Sequence, residues 1–152
     1  DRYYANINGV NSRLDEINSK ILNFKLSKIE SLISKRRKIA KFYNDQLCKT
    51  KLLLPKLNKD KFDVFHLYTV YHKKRDLIMK KLLEEKIQTR IIYPFPVHKM
   101  KGYSNFFKND IHKISEIKSK GIFSLPLYPE LSLKDQKTIC KKLKKILISI
   151  DS

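Results

Sequence analysis

Gly9-Val10-Asn11-Ser12-Arg13-Leu14-Asp15-Glu16-Ile17-Asn18-Ser19-Lys20-Ile21-Leu22 is a glycine turn, two polar capping candidates and an arginine at the opening of a long amphipathic stretch. Ser12 and Asp15 fit a capping-box pattern, which satisfies free N–H groups in the first helical turn and leaves neighbouring donors facing outward. Helix N-termini attract anions. Asn11 adds an amide and Arg13 a guanidinium, so a phosphate at this corner would meet backbone, amide and cationic donors together. Ordinary helix capping accounts for the same residues without any ligand.

Outward from that corner, Leu14, Ile17, Ile21 and Phe24 recur at the three-to-four-residue spacing of one buried helix face. Leu26, Ile29 and Ile33 continue on a displaced line, and Ala40, Tyr43 and Leu47 finish it. The shift in register predicts a bend or two successive helices between Ser12 and Leu47. Val64 to Tyr71 is rich in aromatic and branched residues and reads as a strand. Arg75 to Lys86 carries Leu77, Ile78, Leu82 and Leu83 at helical spacing, and Ile87 to Tyr93 returns as a strand that Pro94 stops. A short strand at Phe123–Leu125 and a last helix at Leu133–Ile148 complete an α/β fold, an α+β layer with a small sheet covered by helices.

Further stretches fall in a recognisable order: Arg36-Arg37-Lys38-Ile39-Ala40 through Tyr43, Leu52 to Pro55, His66-Leu67-Tyr68, Tyr93-Pro94 with Pro96 and His98, and Ser124-Leu125-Pro126-Leu127-Tyr128-Pro129-Glu130-Leu131. Together with the opening segment, which is similar to Gly-x-Asn-x-Arg-(Met/Leu)-Asp-Glu-(Ile/Leu)-Gln with Asn18 at the glutamine, they resemble the DegT/DnrJ/StrS family of sugar aminotransferases. The resemblance covers the C-terminal portion of such enzymes. It implies the small domain of an aspartate-aminotransferase-like, fold type I enzyme, using pyridoxal 5'-phosphate and working as a homodimer on nucleotide-linked keto-sugars in deoxyamino-sugar and lipopolysaccharide biosynthesis. By the same resemblance residues 1–11 are an arm from the large domain, 12–48 a long linking helix region and 49–152 the small domain. The large domain, with the lysine that bears the cofactor, is expected upstream, so no catalytic residue is assigned here and the 152-residue chain alone is expected to be inactive.

The resemblance also implies site residues. Asn11 and Arg13 are expected to meet the cofactor phosphate across the dimer. Arg2-Tyr3-Tyr4 is similar to the Lys-Tyr-Tyr segment of relatives acting on 3-keto sugars of thymidine diphosphate, which makes Arg2 and Tyr4 candidate contacts to the diphosphate sugar. Relatives often show His-Tyr-Pro-x-Pro-x-His where this chain reads Ile92-Tyr93-Pro94-Phe95-Pro96-Val97-His98. Two prolines stiffen that loop. Tyr93 either hydrogen-bonds the sugar nucleotide or packs with a satisfied hydroxyl, and His98 either contacts substrate or fixes the loop. The partners implied are a nucleotide sugar and an amino-acid donor, with no nucleic acid and no membrane.

Charge raises a different class. The formal net charge of +19 is that of a nucleic-acid-binding module. The lysines, however, are spread along every segment, and no zinc-finger spacing or RNA-recognition aromatic motif accompanies them, so a solvated lysine surface is the expected reading. A stand-alone interaction module is the third class. His66 reads as structural within its strand, and His72, beside Lys73, Lys74 and Arg75, as a surface group. Cys48 and Cys140 lack Cys-x-x-Cys spacing, so no disulfide or metal site is expected; with no apolar run of membrane-spanning length and no signal pattern at Asp1, a reducing cytoplasm and an interior start within a longer polypeptide are expected.

Overall fold

A computed structural model describes residues 14–56, 60–100, 107 and 111–151, in two compact units, residues 1–32 and 33–152. In the first unit, helix α1 runs Glu16–Leu26. Its N-cap is Asp15, whose carboxylate accepts the Asn18 N–H at 2.8 Å. The helix therefore starts later than the capping-box reading of Ser12 requires, and Asp15 is the cap itself rather than the first-turn partner of one. The break in the apolar stripe has a local cause. Ser27 ends α1, its hydroxyl donating to the Phe24 carbonyl at 2.8 Å, and α2 restarts at Ile29–Leu47. Two successive helices thus replace one. The expected buried face of α1 is not buried in this chain: Leu14, Ile17, Ile21 and Phe24 are all exposed, Ile17 to 74%.

The second unit is built on a small antiparallel sheet. Strand β1 (Tyr68–Tyr71) pairs with β2 (Ile122–Leu125), and single bridges extend the sheet on both sides, Leu53 to Tyr71 and Arg90 to Ser124. Arg90 and β1 are both antiparallel to β2, so the chain leaves β1, passes through helix α3 (Arg75–Glu84) and returns in the same direction with β2 between. The expected strand–helix–strand unit is present in this split form. Helix α4 (Lys113–Ser119) precedes β2, and α5 (Leu133–Asp151) closes the chain. Ser132 caps α5, accepting the Asp135 N–H at 3.1 Å and donating to its carboxylate at 2.6 Å.

Two strands are shorter than their composition predicts, and both shortfalls have a physical reason. Ahead of Tyr68 the carbonyls of Phe65 and His66 accept from Arg36 Nη1 at 3.3 and 3.2 Å, and Phe65 takes a left-handed backbone (φ 49°), so this stretch has no ladder partner. In the Ile87–Tyr93 stretch the ladder is the single Arg90–Ser124 bridge; toward Gln88 it cannot continue, because the facing residue after Leu125 is Pro126, which has no N–H to donate.

The core joins β1 and β2 (Tyr68, Val70, Phe123, Leu125) to α2 (Ile39, Ala40, Tyr43, Leu47), α3 (Ile78, Leu82) and α5 (Ile139, Cys140, Leu143, Leu147). Two tyrosines cross it with rings 5.0 Å apart; the Tyr43 hydroxyl donates to the Pro126 carbonyl at 2.8 Å and the Tyr68 hydroxyl to Asn44 Oδ1. Burial pushes both phenols well above their ordinary pKa and lifts the Cys140 thiol to about 11. Both cysteines are free, Cys48 exposed and Cys140 buried. His72 corrects the surface reading: it is 8% exposed, its N–H donates to the Gly121 carbonyl at 3.0 Å and its Nδ1 accepts the Lys74 N–H at 3.1 Å. No described helix is long and apolar enough to cross a membrane.

The end of α3 supplies a stability prediction. The Ile87 N–H reaches the Leu82 carbonyl at 2.8 Å and the Lys86 N–H the Leu83 carbonyl at 2.9 Å, the paired bonds of a Schellman cap with Leu82 and Ile87 both buried. Lys86 holds the left-handed position of that cap (φ 60°), where its Cβ crowds the backbone. Lys86→Gly should therefore raise stability by about 1 kcal/mol, read as a higher urea midpoint at an unchanged slope.

Candidate functional site

The segment from Gln88 to His98 separates two hollows of the second unit. Gln88, Arg90 and Ile92, at alternate positions, line the larger one, a cavity of about 760 Å³ walled also by His66, Ser124 and Tyr128. Tyr93 lines the other, about 420 Å³, together with Phe95, His98, His112, Ser115 and Lys118. The structure thus brings two of the expected site residues, Tyr93 and His98, to one cavity. Tyr93 stands 68% exposed, its phenol open to a ligand, whereas His98 is turned inward at 9%.

The loop between them is held at both ends. At its start the Arg90 N–H donates to the Ser124 carbonyl at 3.3 Å, and the Ser124 N–H returns to the Arg90 carbonyl at 2.8 Å. At its far end Val97–Lys99 makes a 3-10 turn from which His98 Nε2 reaches Glu116 Oε1 on α4 at 3.0 Å. Lys99 Nζ lies 3.4 Å from the same oxygen. The His98 hydrogen bond, with the ammonium of Lys99 behind it, holds the Glu116 carboxyl below its ordinary pKa. An ionised carboxylate only accepts, so Nε2 is the donor in this bond. The His98 ring also packs against His112, centroids 4.7 Å apart. Arg75 in turn ties α4 to the start of α3, its Nη1 donating to the Ser119 carbonyl at 2.7 Å.

The other expected contacts, Arg2, Tyr4, Asn11 and Arg13, lie outside the described residues. What is described of that corner does not fit a phosphate at the helix start. The Asp15 carboxylate already takes the Asn18 N–H, Asn18 Nδ2 donates to its second oxygen at 2.5 Å, and Glu16 follows in the first turn. Two carboxylates there repel the anion that the helix dipole was expected to attract.

The sequence motifs that run through the chain meet one another in the fold. Arg36 Nη1 donates to the carbonyls of His66 and Leu127, at 3.2 and 3.3 Å, and Tyr43 donates to Pro126, so the arginine-rich helix, the His66 stretch and the Ser124–Leu131 stretch are one scaffold. Sequence reading missed Arg90, Glu116 and His112. The alternation of Gln88, Arg90 and Ile92 was a usable signal for Arg90; Glu116 meets His98 across eighteen residues of chain and left none.

Comparison with known proteins agrees with this architecture. Residues 1–144 match the DegT/DnrJ/EryC1/StrS aminotransferase family. The chain is 40% identical over 130 residues to dTDP-3-amino-3,6-dideoxy-alpha-D-galactopyranose transaminase of Aneurinibacillus thermoaerophilus, covering 85% of this chain and 36% of that protein. It is 32% identical over 154 residues to dTDP-3-amino-3,4,6-trideoxy-alpha-D-glucose transaminase of Micromonospora megalomicea subsp. nigra, covering 97% and 41%. Among solved structures it superposes on a DegT DnrJ EryC1 StrS aminotransferase from Brucella abortus with TM-score 0.83 at 30% identity, covering 95% of this chain and 39% of that one. It also superposes on S. venezuelae DesV in complex with a ketimine intermediate, with TM-score 0.81 at 26% identity, covering 95% and 40%. The chain spans little more than a third of the length of these relatives. On that agreement of sequence and fold it belongs to the DegT/DnrJ/EryC1/StrS aminotransferase family.

Proposed function

We propose that this chain is the C-terminal portion of a pyridoxal-phosphate-dependent aminotransferase that places an amino group on a nucleotide-linked keto-sugar, a dTDP-3-keto-6-deoxyhexose. The observation that carries the proposal is the 40% identity to a dTDP-3-amino-3,6-dideoxy-galactose transaminase over most of the chain. Residues 1–11 are then an arm from the large domain, 12–48 the linking helix region and 49–152 the small domain. The remaining share of the enzyme carries the lysine that holds the cofactor. When bound, pyridoxal phosphate supplies the carbonyl through which an amino group passes from an amino-acid donor to the sugar. This chain binds and orients. Arg2, Tyr4 and Tyr93 contact the sugar nucleotide, and Asn11 and Arg13 the cofactor phosphate of the partner subunit in a cytoplasmic homodimer. The exposed apolar face of α1 is covered in that assembly.

The reading of the chain as a basic nucleic-acid-binding module is not favoured, because the family match takes in nearly all of it, lysines included. Two measurements test the proposal. The intact mass of the protein in its native lysate should exceed twice the 18.1 kDa of this chain. In that intact protein Asn11→Ala should weaken cofactor binding by about 1.5–3 kcal/mol, the range for a hydrogen bond to a charged group, read by titrating cofactor absorbance. An 18.1 kDa species alone would overturn the aminotransferase reading, and unchanged cofactor affinity would remove Asn11 from the site.

A further inference from the structure

The loop from Ile91 to Val97 hangs between two fixed points, the Arg90 bridge to β2 and the His98 bond to Glu116 on α4. The first anchor is backbone on backbone and needs no particular side chain, only an N–H on each residue. The second depends on one carboxylate, which takes both His98 Nε2 at 3.0 Å and Lys99 Nζ at 3.4 Å. His98 is inward, its Nε2 engaged and its ring against His112, while Tyr93 on the wall of the same cavity is open. The two groups thus have different parts: His98 is engaged at an anchor of the loop and Tyr93 is presented to the cavity.

We propose that Glu116 is a positioning residue for the nucleotide sugar, acting through His98 to hold Tyr93 in place, and that His98 does not itself touch substrate. The proposal rests on the reading of Tyr93 as a sugar-nucleotide contact. Two features support it beyond the bond itself. Glu116 is held ionised by the groups it binds, so the clamp is charge-assisted. Helix α4 is fixed in turn by Arg75 donating to Ser119 and by the short turn through Gly121 into β2, so the anchor is joined to the sheet rather than to solvent-exposed loop. A contact group displaced by a fraction of its own length loses much of its value to catalysis.

The test uses the full-length enzyme with steady-state kinetics for both substrates. Glu116→Ala should raise KM for the nucleotide sugar on the order of tenfold, the equivalent of one charged hydrogen bond, and leave KM for the amino donor unchanged. Glu116→Gln should recover most of that loss, because the amide oxygen still accepts from His98 Nε2. His98→Ala should match Glu116→Ala, and the double variant should be no worse than either, since both remove one contact. Equal KM in Glu116→Ala and the wild type, with Tyr93→Ala raising KM, would overturn the positioning role and leave the Tyr93 reading intact. If His98→Ala costs more than Glu116→Ala and the double variant adds the two losses, His98 touches substrate and the proposal falls. If Tyr93→Ala too leaves KM unchanged, the reading of the loop as a substrate contact fails first, and the positioning role with it.

Discussion

Phe123→Ala is expected to destabilise the second unit by about 3–5 kcal/mol, the usual cost of emptying an aromatic site in a closed core. Phe123 is fully buried, in the middle of β2 opposite Val70, with Tyr68, Ile78, Leu82 and Leu143 fully buried in the same core. Its neighbours come from the sheet, α3 and α5, which are tied to one another and cannot all move inward to close the hole. Domains of this size have total stabilities of only about 5–15 kcal/mol, so the variant should lose a large share of its stability. Urea unfolding followed by circular dichroism measures the loss. The comparison is Phe62→Ala: Phe62 is 72% exposed under the Arg37 guanidinium, 4.3 Å from ring centre to carbon, and its removal should cost under about 1 kcal/mol. Equal losses at the two positions would contradict the core described.

Gly121→Ala is the second large effect, and it acts through crowding. An added Cβ would lie 2.4 and 2.7 Å from Tyr71 Cε2 and Cδ2, and 2.9 Å from the His72 carbonyl oxygen. The ring could turn only by leaving its place under the Lys118 ammonium. The His72 backbone cannot yield, because its own N–H is bonded to the Gly121 carbonyl at 3.0 Å, which holds the two chains at this spacing. Overpacking of this kind costs about 1–3 kcal/mol, read again from the urea midpoint. A neutral result would mean that α4 and the turn into β2 move freely relative to β1, which would also undercut Glu116 as a fixed anchor for the loop.

Both variants sit where sequence reading was strong about the element and silent about the contact. The strand at Phe123–Leu125 and the helices starting at Arg75 and Leu133 follow from local pattern: apolar residues at helical spacing, branched and aromatic runs, and a proline to stop them. Such signals act within a turn or two of chain, so local pattern sets where these elements can form. The aminotransferase family was legible for a related reason. Arg36, Tyr43, His66 and the Ser124–Leu131 stretch stand in a set order, and the fold shows them bonded to one another as scaffold.

What only the tertiary structure decided are the contacts between distant segments. Whether a run of β-forming residues becomes a strand depends on a partner for its N–H and C=O groups: Arg36 took the carbonyls of Phe65 and His66, and Pro126, which faces Gln88, has no N–H with which to carry the ladder on from Arg90. His72 has lysines for neighbours in sequence but is buried, where its backbone carries the β1–β2 pairing on to Gly121. His98 meets Glu116, eighteen residues on, at 3.0 Å from its ring, a contact that no local pattern announces. Periodicity and local propensity set where helices and strands can form, since they depend on residues a few positions apart. Which polar groups pair and which side chains are enclosed depends on residues brought together from far along the chain, and that is determined only when the whole unit packs.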